Sequence, residues 1–242
     1  MKLRADQLLV ERGLCESRAR AQAAIAAGLV TADGETVRKA SQMLAQSAVL
    51  TAQAPHPYVS RGGLKLAEAL DLFGFDPAGR ICLDVGASTG GFTDLLLRRG
   101  AARVIAVDVG RDQLHASLRG DPRVVSLEAR DIRTLMPAEL PEAPTLAAID
   151  VSFISLRLVL PAVAALVAPG AQIAALIKPQ FEAGRAALKK GIVRDEAVHQ
   201  SACAEIAGVM GALGFSVDGP IPSPIEGGDG NREFLIGGRR GA

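Results

Sequence analysis

Between residues 81 and 236 one pattern recurs. A short run of apolar positions ends in a polar or charged residue, and a stretch with apolar positions three and four apart follows. The runs open at Ile81, closing on Asp84. They continue with Arg103–Val107, which delivers Asp108, and Val124–Glu128, with Asp131 just beyond. Leu146–Ile149 then delivers Asp150 and Ala171–Ile177 delivers Lys178, while Phe215–Asp218 and Glu233–Ile236 close the series. Apolar runs this short read as buried strands, and the periodic stretches between them as helices. The helices fall at Leu64–Leu72, Phe92–Leu97 and Asp195–Leu213, with another in the first half of Leu158–Ile177. The alternation predicts an α/β domain with a mostly parallel, seven-stranded, Rossmann-like sheet.

The front of the chain reads differently. Residues 3–14 have the pattern of a helix, with Leu8, Leu9 and a turn at Gly13. Ser17 is a candidate N-cap for a second helix, Arg18–Ala27, which Gly28 stops. Asp33-Gly34 sits between Leu29–Thr31 and Thr36–Arg38 as a hairpin signal, and a last strand follows at Ala48–Thr51. This is a minimal α+β domain over residues 1–57. Pro55-His-Pro57 marks its end, a linker covers 58–63, and the α/β domain covers 64–242.

The most informative turn is Asp84-Val-Gly-Ala-Ser-Thr-Gly-Gly-Phe92. Its glycines allow positive φ and close backbone approach to a ligand. The spacing is G-x-x-x-G-G rather than the G-x-G-x-x-G of dinucleotide folds, and the turn could also be a plain strand–helix connection. In an open α/β sheet, ligands lie beyond the carboxyl ends of the strands, so Asp150 and Lys178 should face one crevice. Asp108, about twenty residues past the glycines, suits a ribose diol. Lys65 stands at the start of a helix, where the dipole disfavours a cation, so it reads either as an ordinary surface lysine or as one placed there for a reason beyond solubility.

Composition narrows the class. The chain is 49% apolar and 22% charged, which fits a globular protein rather than a disordered one. Its net charge of +1 is unevenly spread. Residues 1–65 hold nine Lys/Arg against five Asp/Glu, and the remainder is mildly acidic. A basic front end points to a polyanion-facing module, with a solvated helix face as the plain alternative. A second basic stretch, with Arg185, Lys189, Lys190 and Arg194, lies within 183–194. Cys15, Cys82 and Cys203 form neither a disulfide framework nor a zinc pattern, so a cytoplasmic location and no metal are expected. The amino terminus has no apolar signal region, and Pro161, Pro169, Gly170 and Gln172 break the longest apolar stretch, so no membrane association is expected.

Arg4-Ala-Asp-Gln-Leu-Leu-Val-Glu-Arg-Gly-Leu-Cys-Glu-Ser-Arg-Ala-Arg-Ala-Gln22 and Ile25-Ala-Ala-Gly-Leu-Val30 resemble the S4 RNA-binding domain, with Ala5 where a larger apolar residue is usual. The resemblance implies RNA-backbone contacts from Arg4, Arg18 and Arg20. Lys39 extends the basic set, and Arg18 and Gln22 share a helix face. The glycine turn resembles the first motif of S-adenosylmethionine-dependent methyltransferases. That likeness implies a cofactor site at Asp84, Gly86, Ser88, Thr89, Gly90, Gly91, Phe92, Asp108, Val109, Asp131, Ile132 and Asp150, with Asp131 near the adenine. Lys65, Asp150, Lys178 and Glu233 resemble the Lys-Asp-Lys-Glu set of FtsJ-type ribose 2′-O-methyltransferases. Tyr58–Lys65, Asp150-Val-Ser-Phe153, Lys178-Pro-Gln-Phe-Glu182 and Gly230-Asn-Arg-Glu-Phe234 extend the likeness over nearly the whole chain to the TlyA family. Members of that family, first described as haemolysins, act as ribosomal RNA cytidine-2′-O-methyltransferases. The resemblance implies ribosomal RNA or ribosomal subunits as partner, with Arg61 and Lys189 as further RNA contacts. Glu226, where relatives often carry lysine, leaves substrate choice open.

The chemistry fits this resemblance. A ribose hydroxyl is a poor nucleophile and needs an adjacent group to activate it. Lys178 is the candidate, either removing the proton or holding the developing alkoxide. Asp150 would orient it, and Glu233 would position Lys65. The target nucleotide would have to be flipped out. Phe92, Phe153 and Phe181 are aromatics that could stack on it, with core packing the expected fate of each. The rivals are base methylation, a non-catalytic RNA-binding protein with a vestigial cofactor pocket, and a membrane-acting haemolysin. Asp150-Val-Ser-Phe153 is not the Asn/Asp-Pro-Pro-aromatic turn of amino-group methyltransferases, and no Pro-Cys offers a thiol for attack on cytosine.

Overall fold

The computed structural model describes residues 2–54, 56–184, 187–227 and 230–241. Pro55, Arg185 and the middle of the turn expected at 227–231 therefore lie outside the described residues. Two compact units are present, Met1–Pro57 and Tyr58–Ala242.

The first unit begins with a strand, β1 (Lys2–Arg4), before α1 (Ala5–Glu11) and α2 (Arg18–Ala26). The helix expected over 3–14 is therefore shorter at its front. Arg4 is extended, and β1 pairs antiparallel with a segment the hydrophobic pattern did not reveal, so that Leu3 sits opposite Leu44. The Ser17 side chain accepts the Arg20 N–H and caps α2. Strands β2 (Val30–Ala32) and β3 (Glu35–Thr36) form the hairpin. Asp33 and Gly34 at its tip both have positive φ, as a tight primed turn requires. Strand β4 (Met43–Ala45) is the partner of β1, and β5 (Leu50–Ala52) completes a three-stranded sheet in the order β3-β2-β5. Leu8, Leu9, Ile25, Val30 and Val37 form the centre of this unit's own core.

The second unit is the α/β domain. Its elements are α3 (Gly62–Phe73), β6 (Ile81–Val85), α4 (Gly91–Arg98), β7 (Arg103–Val107), the short α5 (Ala116–Arg119) and β8 (Val124–Leu127). There follow β9 (Leu146–Ile149), α6 (Leu156–Leu166), β10 (Gln172–Ile177), α7 (Pro179–Glu182), α8 (Glu196–Ala212), β11 (Phe215–Pro222) and β12 (Phe234–Arg240). The seven-stranded sheet runs β11-β12-β10-β9-β6-β7-β8; β12 pairs antiparallel with both neighbours, and the other pairings are parallel. The apolar runs form central strands because both faces are covered. Leu83, Ile149 and Ile177 belong to the core that includes α6 and α8, while Cys82, Leu146 and Leu176 belong to the core that includes α3 and α4. The strand order reverses between β6 and β9, and this switch point sets the place of the site.

Helix α3 starts at Gly62, inside the segment read as a linker. The stretch before it lies against α4. The Val59 N–H donates to Asp94 at 2.9 Å, and a Cβ on Gly63 would overlap the Tyr58 ring. Among the described residues no helix is long and apolar enough to cross a membrane.

Candidate active site

The carboxyl ends of β6 and β9 are joined at the switch point. Val85 pairs with Ile149, the Asp150 N–H donates to the Val85 carbonyl at 2.9 Å, and Gly86 follows with φ of 84°. A Cβ on Gly86 would run into the Asp150 carbonyl, so only glycine lets the two strand ends approach this closely. Asp84 is fully buried one turn of the pleat earlier. Its Oδ2 accepts the Thr93 hydroxyl at 2.6 Å, and its Oδ1 has no partner among the described residues. Burial, opposed by the Thr93 hydrogen bond, pushes this carboxyl up to about 7.

Two cavities meet there. The larger, about 1170 Å³, runs from Gly86 and Ser88 past Asp108, Val109, Asp131 and Ile132 to Phe153, Leu158 and Phe181. The smaller, about 310 Å³, is lined by Ser60, Arg61, Lys65, Thr89, Phe92 and Lys178, among others. Gly86, Ser88, Asp150 and Ser152 line both. These four residues are therefore a place where a molecule in one cavity would meet a molecule in the other.

The larger cavity is rigidly floored. Asp108 accepts the Ser88 N–H on Oδ2 at 2.8 Å and the Gly110 N–H on Oδ1 at 2.7 Å, which fixes its plane and leaves lone pairs free for hydroxyl donors. Asp131 also lines the cavity, but its carboxylate is held bidentate by Arg133, with contacts of 2.6 to 3.1 Å, and those bonds lower its carboxyl from the ordinary value. Val109 is exposed and Ile132 buried. Gly90 and Gly91 do not line this cavity. A Cβ on Gly90 would strike Leu118, and one on Gly91 would strike the Ser60 hydroxyl. Thr89, Gly91 and Phe92 face the smaller cavity instead.

Lys65, Asp150 and Lys178 converge on the smaller cavity. Lys178, at the carboxyl end of β10, lies with Nζ 2.5 Å from Asp150 Oδ1 and donates to the Ser152 hydroxyl at 3.0 Å. Lys65, on the first turn of α3, is ion-paired with Glu233, which stands just before β12 and does not itself line the cavity. Both lysines are only 8% exposed. Buried ammonium groups require such partners.

Several contributors were not foreseen. Ser152 lies in the quoted Asp150–Phe153 stretch but received no role; serine two residues past a strand-end acid was the available signal. Glu182 ends the Lys178–Glu182 stretch. It is buried, accepts the Ser155 hydroxyl and the Leu156 N–H, and so ties α7 to the start of α6. Burial raises its carboxyl above the ordinary value, against those two hydrogen bonds. The aromatics divide. Phe92 is core, as expected, whereas Phe153 is 91% exposed with φ of 64°, and its ring lies 5.1 Å from that of the half-buried Phe181. The expectation of core packing is wrong for Phe153. Cys82 is buried, and burial pushes its thiol up to about 12, so it offers no thiolate.

Among the basic residues, Arg61 is exposed and lines the smaller cavity, and Lys39 and Lys189 are exposed. Arg20 pairs with Glu16 at 3.1 Å. Arg4 and Arg18 meet at one carboxylate, Asp6.

A mostly parallel seven-stranded sheet with a glycine turn at its switch point, and an acid at the end of the next strand, defines the class I methyltransferase architecture. The FtsJ-like methyltransferase model matches residues 58–240, and the S4 domain model matches residues 3–50. The chain belongs to the FtsJ-like methyltransferase family and carries an S4 domain at its front. It is 42% identical over 238 residues to the Mycobacterium tuberculosis protein named 16S/23S rRNA (cytidine-2′-O)-methyltransferase TlyA, covering 97% of this chain and 89% of that one. A Bacillus subtilis protein named as a candidate rRNA methyltransferase is 48% identical, with coverage of 97% and 85%. A solved Streptococcus thermophilus structure, described as a hemolysin candidate, superposes with a TM-score of 0.78 at 44% identity, covering 99% of this chain and 89% of that one.

Proposed function

We propose that this protein binds S-adenosylmethionine in the larger cavity and methylates a ribose 2′-hydroxyl, that of a cytidine, in ribosomal RNA. The observation that carries the reading is the Lys178–Asp150 pair at the strip where the two cavities join. The residues present fit the cofactor. Asp108 is held by two backbone N–H groups in a pose suited to a diol, Val109 and Ile132 offer apolar sides for a purine, and the bare backbone at Gly86 admits close approach. When bound, S-adenosylmethionine supplies a methyl group already activated on a sulfonium.

The remaining work falls to the chain's own groups. The smaller cavity, with Arg61 at its edge, admits the target ribose. Lys178 Nζ meets the 2′-oxygen: as a neutral amine it takes the hydroxyl proton, or as an ammonium it holds the charge that develops there while the proton passes to solvent. Asp150 and Ser152 fix the direction of Nζ. Lys65 adds a second positive charge at the same cavity, and Glu233 keeps that lysine buried and aimed. Alignment of the acceptor oxygen with the methyl group is the main contribution of such a site. Phe153, exposed at the rim, supplies a stacking face for the displaced base. Cys82, buried in β6, cannot serve attack on cytosine C5.

Binding and transfer separate experimentally. Asp108→Ala should weaken binding of S-adenosylhomocysteine in calorimetry, whereas Lys178→Ala should bind it normally and fail to transfer labelled methyl to ribosomal subunits. Normal transfer by Lys178→Ala would remove the reading.

A further inference from the structure

Among the described residues Asp6 is the one fully buried carboxylate of the first unit, yet it belongs to no foreseen site. It lies in the first turn of α1, and its donors come from both sides of the helix pair. Arg4 gives Nε to Oδ1 at 3.0 Å and Nη2 to Oδ2 at 3.1 Å. Arg18 gives Nη2 to Oδ2 at 2.9 Å and Nε at 3.3 Å. Gln22, one turn further along α2, gives Nε2 to the same oxygen at 2.9 Å. These bonds, that from Arg4 first, hold the carboxyl well below its usual range despite burial, so it is ionised wherever the protein is folded near neutral pH.

The geometry has a consequence for the guanidinium groups. Each arginine spends its Nε and Nη2 edge on Asp6, and a guanidinium is planar, so Nη1 points to the far side of each fork. Arg4 and Arg18 nevertheless remain 38% and 52% exposed. Two long side chains that would otherwise sample many rotamers are thus locked with one donor edge turned outward. Locking a side chain before binding removes much of the ordering cost of a phosphate contact. The charges, by contrast, argue against retaining Asp6 at a polyanion-facing surface, because one carboxylate cancels half of the pair's attraction.

We propose that Asp6 is a positioning residue for RNA, clamping Arg4 and Arg18 from beneath so that both present a fixed donor edge to backbone phosphates. This rests on the reading of residues 1–57 as the RNA-facing unit. It goes beyond that reading by assigning the affinity to placement rather than to net charge.

The two accounts predict opposite signs for one substitution. Asp6→Asn makes the cluster one charge more positive. If net charge governs, binding tightens and its salt dependence steepens. If placement governs, binding weakens. The experiment is fluorescence anisotropy of the full-length chain with a fluorescein-labelled RNA hairpin across a salt series. Asp6→Asn is expected to raise Kd on the order of tenfold, with a shallower salt slope. The same change in an Arg4→Ala/Arg18→Ala background that melts like the wild type, or in Arg4→Lys/Arg18→Lys where it does not, is expected to cost nothing further, a result that general damage to the domain would not give.

Tighter binding by Asp6→Asn overturns the proposal, as does an equal loss in the double-alanine background. If Asp6→Asn fails to melt like the wild type by circular dichroism, Gln22→Ala decides. It removes one neutral donor from the clamp, and a weaker complex, again absent in the double-alanine background, supports the proposal, while an unchanged one overturns it. If Arg4→Ala/Arg18→Ala itself binds the hairpin like the wild type, the RNA-facing reading of the unit fails, and the clamp fails with it.

Discussion

At the scale of residues, Lys65, Asp84, Lys178 and Glu233 are buried ionisable groups in or beside the candidate site. Lys65 is buried against Glu233, and removing one partner of such a pair strands a charge, at a typical cost of ~3–5 kcal/mol. Glu233→Gln is therefore expected to lower the melting temperature by several degrees and to reduce methyl transfer more than Glu226→Gln, whose side chain lies outside the pair. Thermal melts and single-turnover transfer check this. Asp84 makes a pH-dependent contribution of defined sign. Its carboxyl is raised to about 7 in the fold, so between its ordinary value and 7 the folded state holds a proton that the unfolded state has lost. Stability from this group therefore falls as pH climbs through that window and is flat above it, by an amount of up to roughly 4 kcal/mol. Asp84→Asn should raise the melting temperature of the ligand-free protein at pH 8 and change it less at pH 5. An equal shift at both values would mean that Asp84 is not held protonated. Lys178 and Asp150 were legible as strand-end residues. Asp6 was not, because its ligands lie two, twelve and sixteen positions away and meet only when α1 and α2 pack together.

At the scale of elements, the turn from β6 into α4 and the loop from β9 into α6 carry the site. The first depends on glycine. Gly86→Ala places a Cβ against the Asp150 carbonyl, so it should weaken S-adenosylhomocysteine binding by tenfold or more, on the order of one well-made contact, in calorimetry. The loop depends on an unusual backbone. Phe153 holds positive φ while almost wholly exposed, and Glu182 pins the loop's far end through Ser155 and Leu156. A strained, exposed aromatic gains little stability for the fold. Phe153→Ala should thus leave the melting temperature unchanged or higher and lower kcat/KM by one to two orders of magnitude, about what a lost base stack costs. A destabilised variant with normal kinetics would return Phe153 to a packing role. The sequence pattern resolved the long buried strands because both their faces are apolar. It missed β1, β4 and α5 because three or four residues do not establish a period, and β1 joins α1 without a break in the apolar spacing. It misjudged Phe153 because aromaticity argues for burial, while loop backbone geometry has no signature in hydrophobic spacing.

At the scale of the whole molecule, two units have separate cores: a front unit in which Arg4 and Arg18 meet on Asp6, and an α/β unit with two cavities sharing one wall. The order of strand-end residues made the second unit readable, since Asp108, Asp150 and Lys178 fall where an open parallel sheet gathers its ligands, while Asp84 stays buried one step inside β6. The division into two cavities was not readable, because it depends on how α3 and the stretch before it lie over the glycine turn. The most direct test of the account is to incubate the protein with labelled S-adenosylmethionine and separated small and large ribosomal subunits, digest the RNA, and identify the methylated nucleoside by mass. 2′-O-methylcytidine is expected with the wild type and is expected to be absent with Lys178→Ala. A methyl group on a base, or label that persists in Lys178→Ala, would contradict it.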